Sequence, residues 1–190
     1  MNIIFLDSEL ELKKGETRKK NWSGLIWDQN YDWKKLKSKK RGRPDIVHFS
    51  LLLCQDSLLN MEGKLKVFIH TRDGDIIHID PKTSPPRSLE RFKGIMAKLL
   101  LEGEINSGEG KRLFWTEKKD IKEFINELGS EVIIMSENGE SAKGCDFSDK
   151  TVIIGGFPSG GFKTKVFGRK VKVSKSPLSA WTITSYVLNH

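Results

Sequence analysis

Apolar and polar positions follow a few distinct rhythms along this 190-residue chain, and each rhythm predicts an element. Asn2 to Leu6 is an apolar run closed by Asp7 and Ser8, which predicts a first strand. Arg41 to Ser57 has helical spacing: Pro44 and Asp45 suit the first turn, and Ile46, Val47, Leu51, Leu52 and Cys54 form an apolar face. Lys64 to His70 places Leu65, Val67 and Ile69 on one side. Ile76 to Ile79 follows after the turn signal Asp73-Gly74, so the two runs predict a hairpin. Within Thr83 to Leu101, Ser88 can cap a helix whose core stripe is Leu89, Phe92, Ile95, Met96, Leu99 and Leu100. Asn106 to Gly110 predicts a polar loop, and Ile121 to Leu128 a helix with Phe124, Ile125 and Leu128 inward.

The C-terminal third carries three short β-branched runs, each broken by turn chemistry. Val132 to Met135 stops at Ser136-Glu137-Asn138-Gly139, and Thr151 to Ile154 stops at Gly155-Gly156. Val171 to Val173 stops at Ser174, Ser176 and Pro177, before an apolar helix that runs to the C-terminus. Strands alternating with helices predict an α/β domain with a mostly parallel sheet, whose ligand site lies at the carboxyl ends of strands. The three breaks are therefore expected to share one edge. Gly155, Gly156, Gly160 and Gly161 lack a Cβ, which lets a flat or elongated ligand lie against main-chain groups, although tight turns use glycine in the same way. The run is neither a dinucleotide fingerprint, since no long helix opens on it, nor a P-loop, since Lys163 lacks the Gly-Lys-Ser/Thr context.

Charge sharpens this picture once it is mapped. The net charge is +8, and Lys13 to Arg43 alone holds twelve lysines and arginines against Glu16, Asp28 and Asp32, leaving the rest of the chain near neutral. Such concentration is the footprint of a polyanion partner, because each neutralised phosphate releases counterions; a solvated basic face or a membrane-surface patch is the alternative. Trp22, Trp27, Tyr31 and Trp33 are interleaved with these cations, a pattern that serves base stacking or simple packing. Arg43 stands two residues before Asp45, whose carboxylate can hold the guanidinium in one orientation toward a phosphate or a base edge; an ordinary surface ion pair fits the spacing equally. Arg87 and Arg91 are four apart at a helix start, where two cations oppose the dipole and a bound phosphate would relieve the conflict.

Cys54 and Cys145 stand without a paired motif, which predicts free thiols in a reducing compartment and argues against zinc. His70 and His78 can reach a common rim but lack ligand partners at metal spacing, so no metal is expected. Ile3 to Leu6 is too short for a signal peptide or membrane span, so no membrane is expected and a cytoplasmic location is.

Four separated segments, GRPDIVHFSLL at Gly42 to Leu52, PPRSLERFKGIM at Pro85 to Met96, GGFPSGGF at Gly155 to Phe162 and SKSPLSAW at Ser174 to Trp181, occur in the order of a known family. In them the chain resembles the archaeal-type ribosome biogenesis factors of the SPOUT class that methylate nitrogen-1 of a pseudouridine in small-subunit ribosomal RNA. The resemblance implies a single SPOUT domain over 1–190 with a basic family-specific insertion at about 13–43 and a C-terminal trefoil knot. It also implies S-adenosylmethionine as cofactor and a homodimer. By motif, the cofactor would contact Met135, Gly155, Gly160, Val173, Ser174, Lys175, Ser176, Pro177 and Leu178. Arg43, Arg87 and Arg91 would hold RNA, with Asp45 orienting Arg43 and available as a base. Where the family usually continues GGFP with His-Gly-Asp, this chain has Ser159, Gly160 and Gly161. That departure leaves a second expectation, an RNA-binding assembly chaperone in which methyl transfer is not essential. A nicotinamide-dependent oxidoreductase is disfavoured by the missing fingerprint and by the charge map.

Overall fold

The computed structural model describes residues 1–12, 24–25 and 41–190. Most of the basic segment, including Trp22, Trp27, Tyr31 and Trp33, lies outside the described residues; Arg41 and Arg43 lie within them. The strands are β1 Asn2–Ser8, β2 Lys66–Thr71, β3 Asp75–Ile79, β4 Glu104–Asn106, β5 Arg112–Lys118, β6 Val132–Ser141, β7 Thr151–Gly155 and β8 Arg169–Lys172. The helices are α1 Pro44–Gln55, α2 Leu58–Met61, α3 Leu89–Glu102, α4 Ile121–Glu127 and α5 Ala180–Leu188.

The strands form one sheet in the order β4-β5-β3-β2-β1-β7-β6-β8. The block from β2 to β8 is parallel throughout, and β3, β5 and β4 extend it antiparallel, so the predicted mostly parallel sheet is a parallel block with an antiparallel wing. Strand β1 explains why this block is buried. Its alternating side chains feed two cores: Ile3 and Phe5 join Val47, Leu51, Phe92 and Met96 from α1 and α3, while Ile4 and Leu6 join Phe124 and Ile125 from α4. All four strand residues are fully buried, and each such side chain stabilises the fold by about 1.5–3 kcal/mol.

The sheet departs from the sequence reading in particular places. The β4–β5 pair was not expected, because RLFWTEK buries only Phe114 fully and carries charge at both ends, as a strand near the sheet's margin does. Strand β6 runs on past the predicted turn. Met135 and Glu140 both face Val171, so Ser136 to Gly139 bulges out of the ladder between them. Gly139 permits this, since a Cβ there would stand 2.5 Å from the Val171 nitrogen. Helix α3 begins at Leu89 with Ser88 at its N-cap, yet the Ser88 side chain makes no capping bond. Arg87 therefore precedes the helix, and only Arg91 occupies its first turn. Lys93, outside the predicted stripe, is fully buried and pairs with Glu90 at 2.6 Å. The hairpin of β2 and β3 and the helix from Pro44 form as expected.

Candidate active site

The parallel strands β6, β7 and β8 deliver their carboxyl ends to one place. There the Ser136–Gly139 bulge, the connection after β7 and the segment after β8 enclose a cleft of about 390 Å³, within the range of small-molecule sites. The three predicted breaks are thus neighbours. Met135 and Ile154 line it, Phe157 to Phe162 form one continuous wall segment, and Val173, Ser174, Ser176 and Leu178 line it as well, together with Ala180, Trp181 and Ile183 of α5. Gly155 and Gly160 line the cleft as well. Lys175 and Pro177 lie in the same segment but are not among its lining residues; both are exposed.

The glycines serve this wall in different ways. A Cβ on Gly155 would stand 2.9 Å from the Phe157 ring, and one on Gly156 would collide with Ser8 Oγ and stand 2.8 Å from Ser8 Cα. The missing Cβ atoms at these two positions therefore make room for the protein's own side chains, a role that the sequence does not distinguish from close approach to a ligand. Gly160, with φ of 81°, turns the wall in the left-handed region that favours glycine. The Ser159-Gly160-Gly161 departure sits entirely on the lining.

The connection is fastened from outside the cleft. Gly156 N–H donates to Leu6 O at 2.8 Å, and Glu9 N–H donates to Gly156 O at 3.2 Å. The Asp7 carboxylate, at the end of β1, accepts from Lys163 N–H at 2.7 Å, Thr164 N–H at 3.0 Å and Thr164 Oγ1 at 2.6 Å. Sequence reasoning treated Asp7 only as a strand terminator. A carboxylate at the carboxyl end of a parallel strand, where ligand loops gather, was the available signal.

Arg43 reaches the cleft from α1. Its Nε and Nη2 donate to both oxygens of Asp45, at 2.8 and 2.7 Å, and Asp45 is buried, so the guanidinium is held as a fork-to-fork pair in one plane. Two residues before it, Arg41 makes a bidentate pair with Glu11. Pro44 at the first turn lets the helix begin immediately after Arg43. Arg87 and Arg91 do not line the cleft. Arg87 is exposed and 3.6 Å from Asp56, and Arg91 is exposed on the first turn of α3. What joins them to α1 is His48, another residue that sequence reasoning missed: its Nε2 donates to Pro86 O at 2.6 Å, and its ring stacks on Phe92 with centroids 4.6 Å apart. Burial holds the His48 imidazole below its ordinary pKa, in keeping with a neutral ring.

The other titratable candidates fall elsewhere. His70 lies beside Asp7 and accepts a long 3.4 Å bond from its amide, whereas His78 contacts Glu117 at 2.8 Å and stacks on Trp115, so each has its own partners. Among the described residues no group of three His, Cys, Asp or Glu could hold a metal ion. Cys54 and Cys145 are free, and burial pushes the Cys54 thiol well above its usual range. No described helix is long and apolar enough to cross a membrane.

As a ligand site, the cleft offers many backbone groups, an apolar floor and few charges: Glu137 is the one carboxylate on its lining, against Arg43 and Lys172. A cleft of this size with an apolar floor and polar loops around it suits a nucleoside. Comparison with known proteins agrees. The description "EMG1/NEP1 methyltransferase" matches residues 3–190. The ribosomal RNA small subunit methyltransferase Nep1 of Pyrococcus furiosus is 38% identical over 212 aligned positions, covering 99% of this chain and 94% of that protein. Its counterpart in Thermococcus onnurineus is 36% identical, with 99% and 96% covered. The crystal structure of Archaeoglobus fulgidus Nep1 bound to S-adenosylhomocysteine superposes with a TM-score of 0.79 at 27% identity, covering 98% of this chain and 94% of that one. The chain belongs to the EMG1/NEP1 methyltransferase family.

Proposed function

We propose that this protein transfers a methyl group from S-adenosylmethionine to nitrogen-1 of a pseudouridine in small-subunit ribosomal RNA, and that it acts in small-subunit biogenesis. The observation that carries the reading is the convergence of three strand-end reversals on one cleft, with Arg43 clamped by Asp45 on its lining. The family and the S-adenosylhomocysteine-bound relative support it.

When bound, the sulfonium cofactor supplies an activated methyl group; the protein has to place the acceptor in line and exclude water. The wall from Gly155 to Phe162, Met135 and the segment from Val173 to Leu178 hold the nucleoside, chiefly through backbone groups. Arg43, Arg87 and Arg91 hold RNA phosphates and present a base splayed out of its loop. Both Asp45 oxygens are committed to Arg43, so Asp45 acts by positioning, and the proton of nitrogen-1 leaves to water.

We read the chain as one SPOUT domain over 1–190 with an inserted basic segment at about 13–43, working in the cytoplasm as a homodimer, its C-terminal segment threaded as a trefoil knot. Support for a protein partner lies on α1 and α5. Phe49 is 45% and Leu53 39% exposed, and Phe49 meets Trp181 edge to face at 5.6 Å.

The test is incubation with labelled S-adenosylmethionine and a hairpin RNA that contains pseudouridine or, as control, uridine. Label confined to the pseudouridine hairpin is expected. Tight RNA binding with label in neither RNA would favour the assembly chaperone, and label in both would discard nitrogen-1 as the acceptor.

A further inference from the structure

The wall of the cleft is suspended between two feet, and both rest on the end of β1, a strand that contributes no side chain to the cleft. The first foot is Gly156, bonded to Leu6 and Glu9 and packed on Ser8. The second is Lys163–Thr164, where Asp7 accepts three hydrogen bonds and Glu9 lies 3.6 Å from Lys163 Nζ. Every residue between the feet, Phe157 through Phe162, lines the cleft. Asp7 is buried and has a φ of 55°, a left-handed conformation that Asp and Asn adopt more readily than other side-chain-bearing residues. Its backbone is turned out of the strand while its carboxylate meets two successive amides of the connection. Outliers of this kind persist where the surroundings over-determine them, and here the surroundings are the second foot of the wall.

We infer that Asp7 is a positioning residue for the methyl donor: its carboxylate fixes the second foot of the Phe157–Phe162 wall and thereby sets the affinity of the cleft for S-adenosylmethionine and its product. This rests on the proposed cofactor site and adds to it a residue that touches neither cofactor nor RNA. The expected signature is specific. A carboxylate accepting amide and hydroxyl protons makes strong charge-assisted bonds, and a loop that must order itself on binding loses affinity rather than chemistry. Asp7→Asn keeps the size and the tolerance for left-handed φ but replaces one acceptor oxygen by a donor.

The experiment is calorimetric titration of the full chain with S-adenosylhomocysteine, for the wild type, Asp7→Asn and Thr164→Val, together with thermal melting and hairpin RNA binding. Asp7→Asn is expected to weaken nucleoside binding about 10- to 100-fold, the loss that follows from one or two charge-assisted bonds, and Thr164→Val about 3- to 10-fold. RNA affinity should stay at the wild-type value. In turnover, the KM for the methyl donor should rise while kcat at saturating donor is retained. A folded Asp7→Asn protein with wild-type nucleoside affinity overturns the inference. Should that variant not fold, unchanged affinity in Thr164→Val overturns it. A wild-type protein that binds no S-adenosylhomocysteine refutes the cofactor site itself, a distinct result.

Discussion

The wall of the cleft and its arginines solve the recognition problem in opposite ways. The wall is a short connection turned at Gly160 and fastened from behind by β1, so its specificity depends on where that connection is held. The arginines work through side chains: Arg43 is locked by Asp45, while Arg87 and Arg91 are exposed and reach outward. A small nucleoside needs a shaped surface that does not move, whereas a folded RNA needs charge over a wide area. Damage to the wall should therefore abolish cofactor binding and spare RNA binding, and damage to the arginines should do the reverse.

The most severe separation is expected from Gly156→Ala. The added methyl meets Ser8 Oγ and its backbone, neither of which can withdraw from the buried end of β1. Overpacking of this kind costs about 1–3 kcal/mol. Concentrated on the first foot of the wall, it should reduce S-adenosylhomocysteine affinity by up to about 100-fold in calorimetry, since about 1.4 kcal/mol is tenfold. RNA affinity measured by filter binding should not change.

Next in size is Arg43→Ala, which removes a preorganised phosphate or base contact and leaves the Asp45 carboxylate buried without its bidentate partner. Hairpin affinity should fall about 10-fold or more, and thermal stability should fall too, because an uncompensated buried carboxylate is costly. Nucleoside affinity that falls less than hairpin affinity is the outcome that upholds the contrast, since Arg43 also stands on the cleft lining. Arg87→Ala or Arg91→Ala should act more gently. Each should reduce the slope of log affinity against log salt by about one counterion, with little loss of stability, since Arg87 has only an exposed ion pair at 3.6 Å. An unchanged salt slope removes the residue from the phosphate contacts.

The smallest effect concerns His48, whose contacts join α1 to Pro86 and to Phe92 of α3. Burial holds His48 neutral below the ordinary histidine pKa of 6.5, so as pH falls through 6.5 the unfolded chain takes up a proton before the folded one does. His48 should therefore contribute stability at neutral pH that is lost on acidification, with a slope of up to about 1.4 kcal/mol per pH unit for one proton. The buried His70, lowered in pKa for the same reason, adds to the trend in the same direction. His48→Gln retains a donor for Pro86 O and cannot titrate; urea melts at pH 7.5 and at pH values below 6 should show a flatter dependence for the variant than for the wild type.

Much of this architecture was legible in the chain because local rules and the global fold agree there. The runs Asn2–Leu6, Val132–Met135 and Thr151–Ile154 are mostly apolar and rich in isoleucine and valine, as central parallel strands tend to be, and the breaks after the C-terminal strands predicted a shared edge. The Arg43–Asp45 pair was visible from its spacing and the Pro44 helix start. The illegible parts have equally local causes. Strand β5 mixes buried Phe114 with charged neighbours and reads as loop. Gly155 and Gly156 announced a close approach, but nothing in the sequence says that Phe157 and Ser8 are what approach. Asp7 and Thr164 are 157 residues apart and meet only because β1 lies beside β7, and His48 meets Pro86 only through the packing of α1 near the start of α3. Contacts between distant segments leave no periodic trace.

The central claim, that the backbone wall at the ends of β6, β7 and β8 is the methyl-donor site, is tested most directly by a crystal structure of the protein grown with saturating S-adenosylhomocysteine. The account predicts the nucleoside between the Gly155–Gly161 stretch and the segment Val173–Leu178, with Arg43 still paired to Asp45 at the rim. Nucleoside density at any other place on the molecule, with this cleft left to solvent, would contradict it.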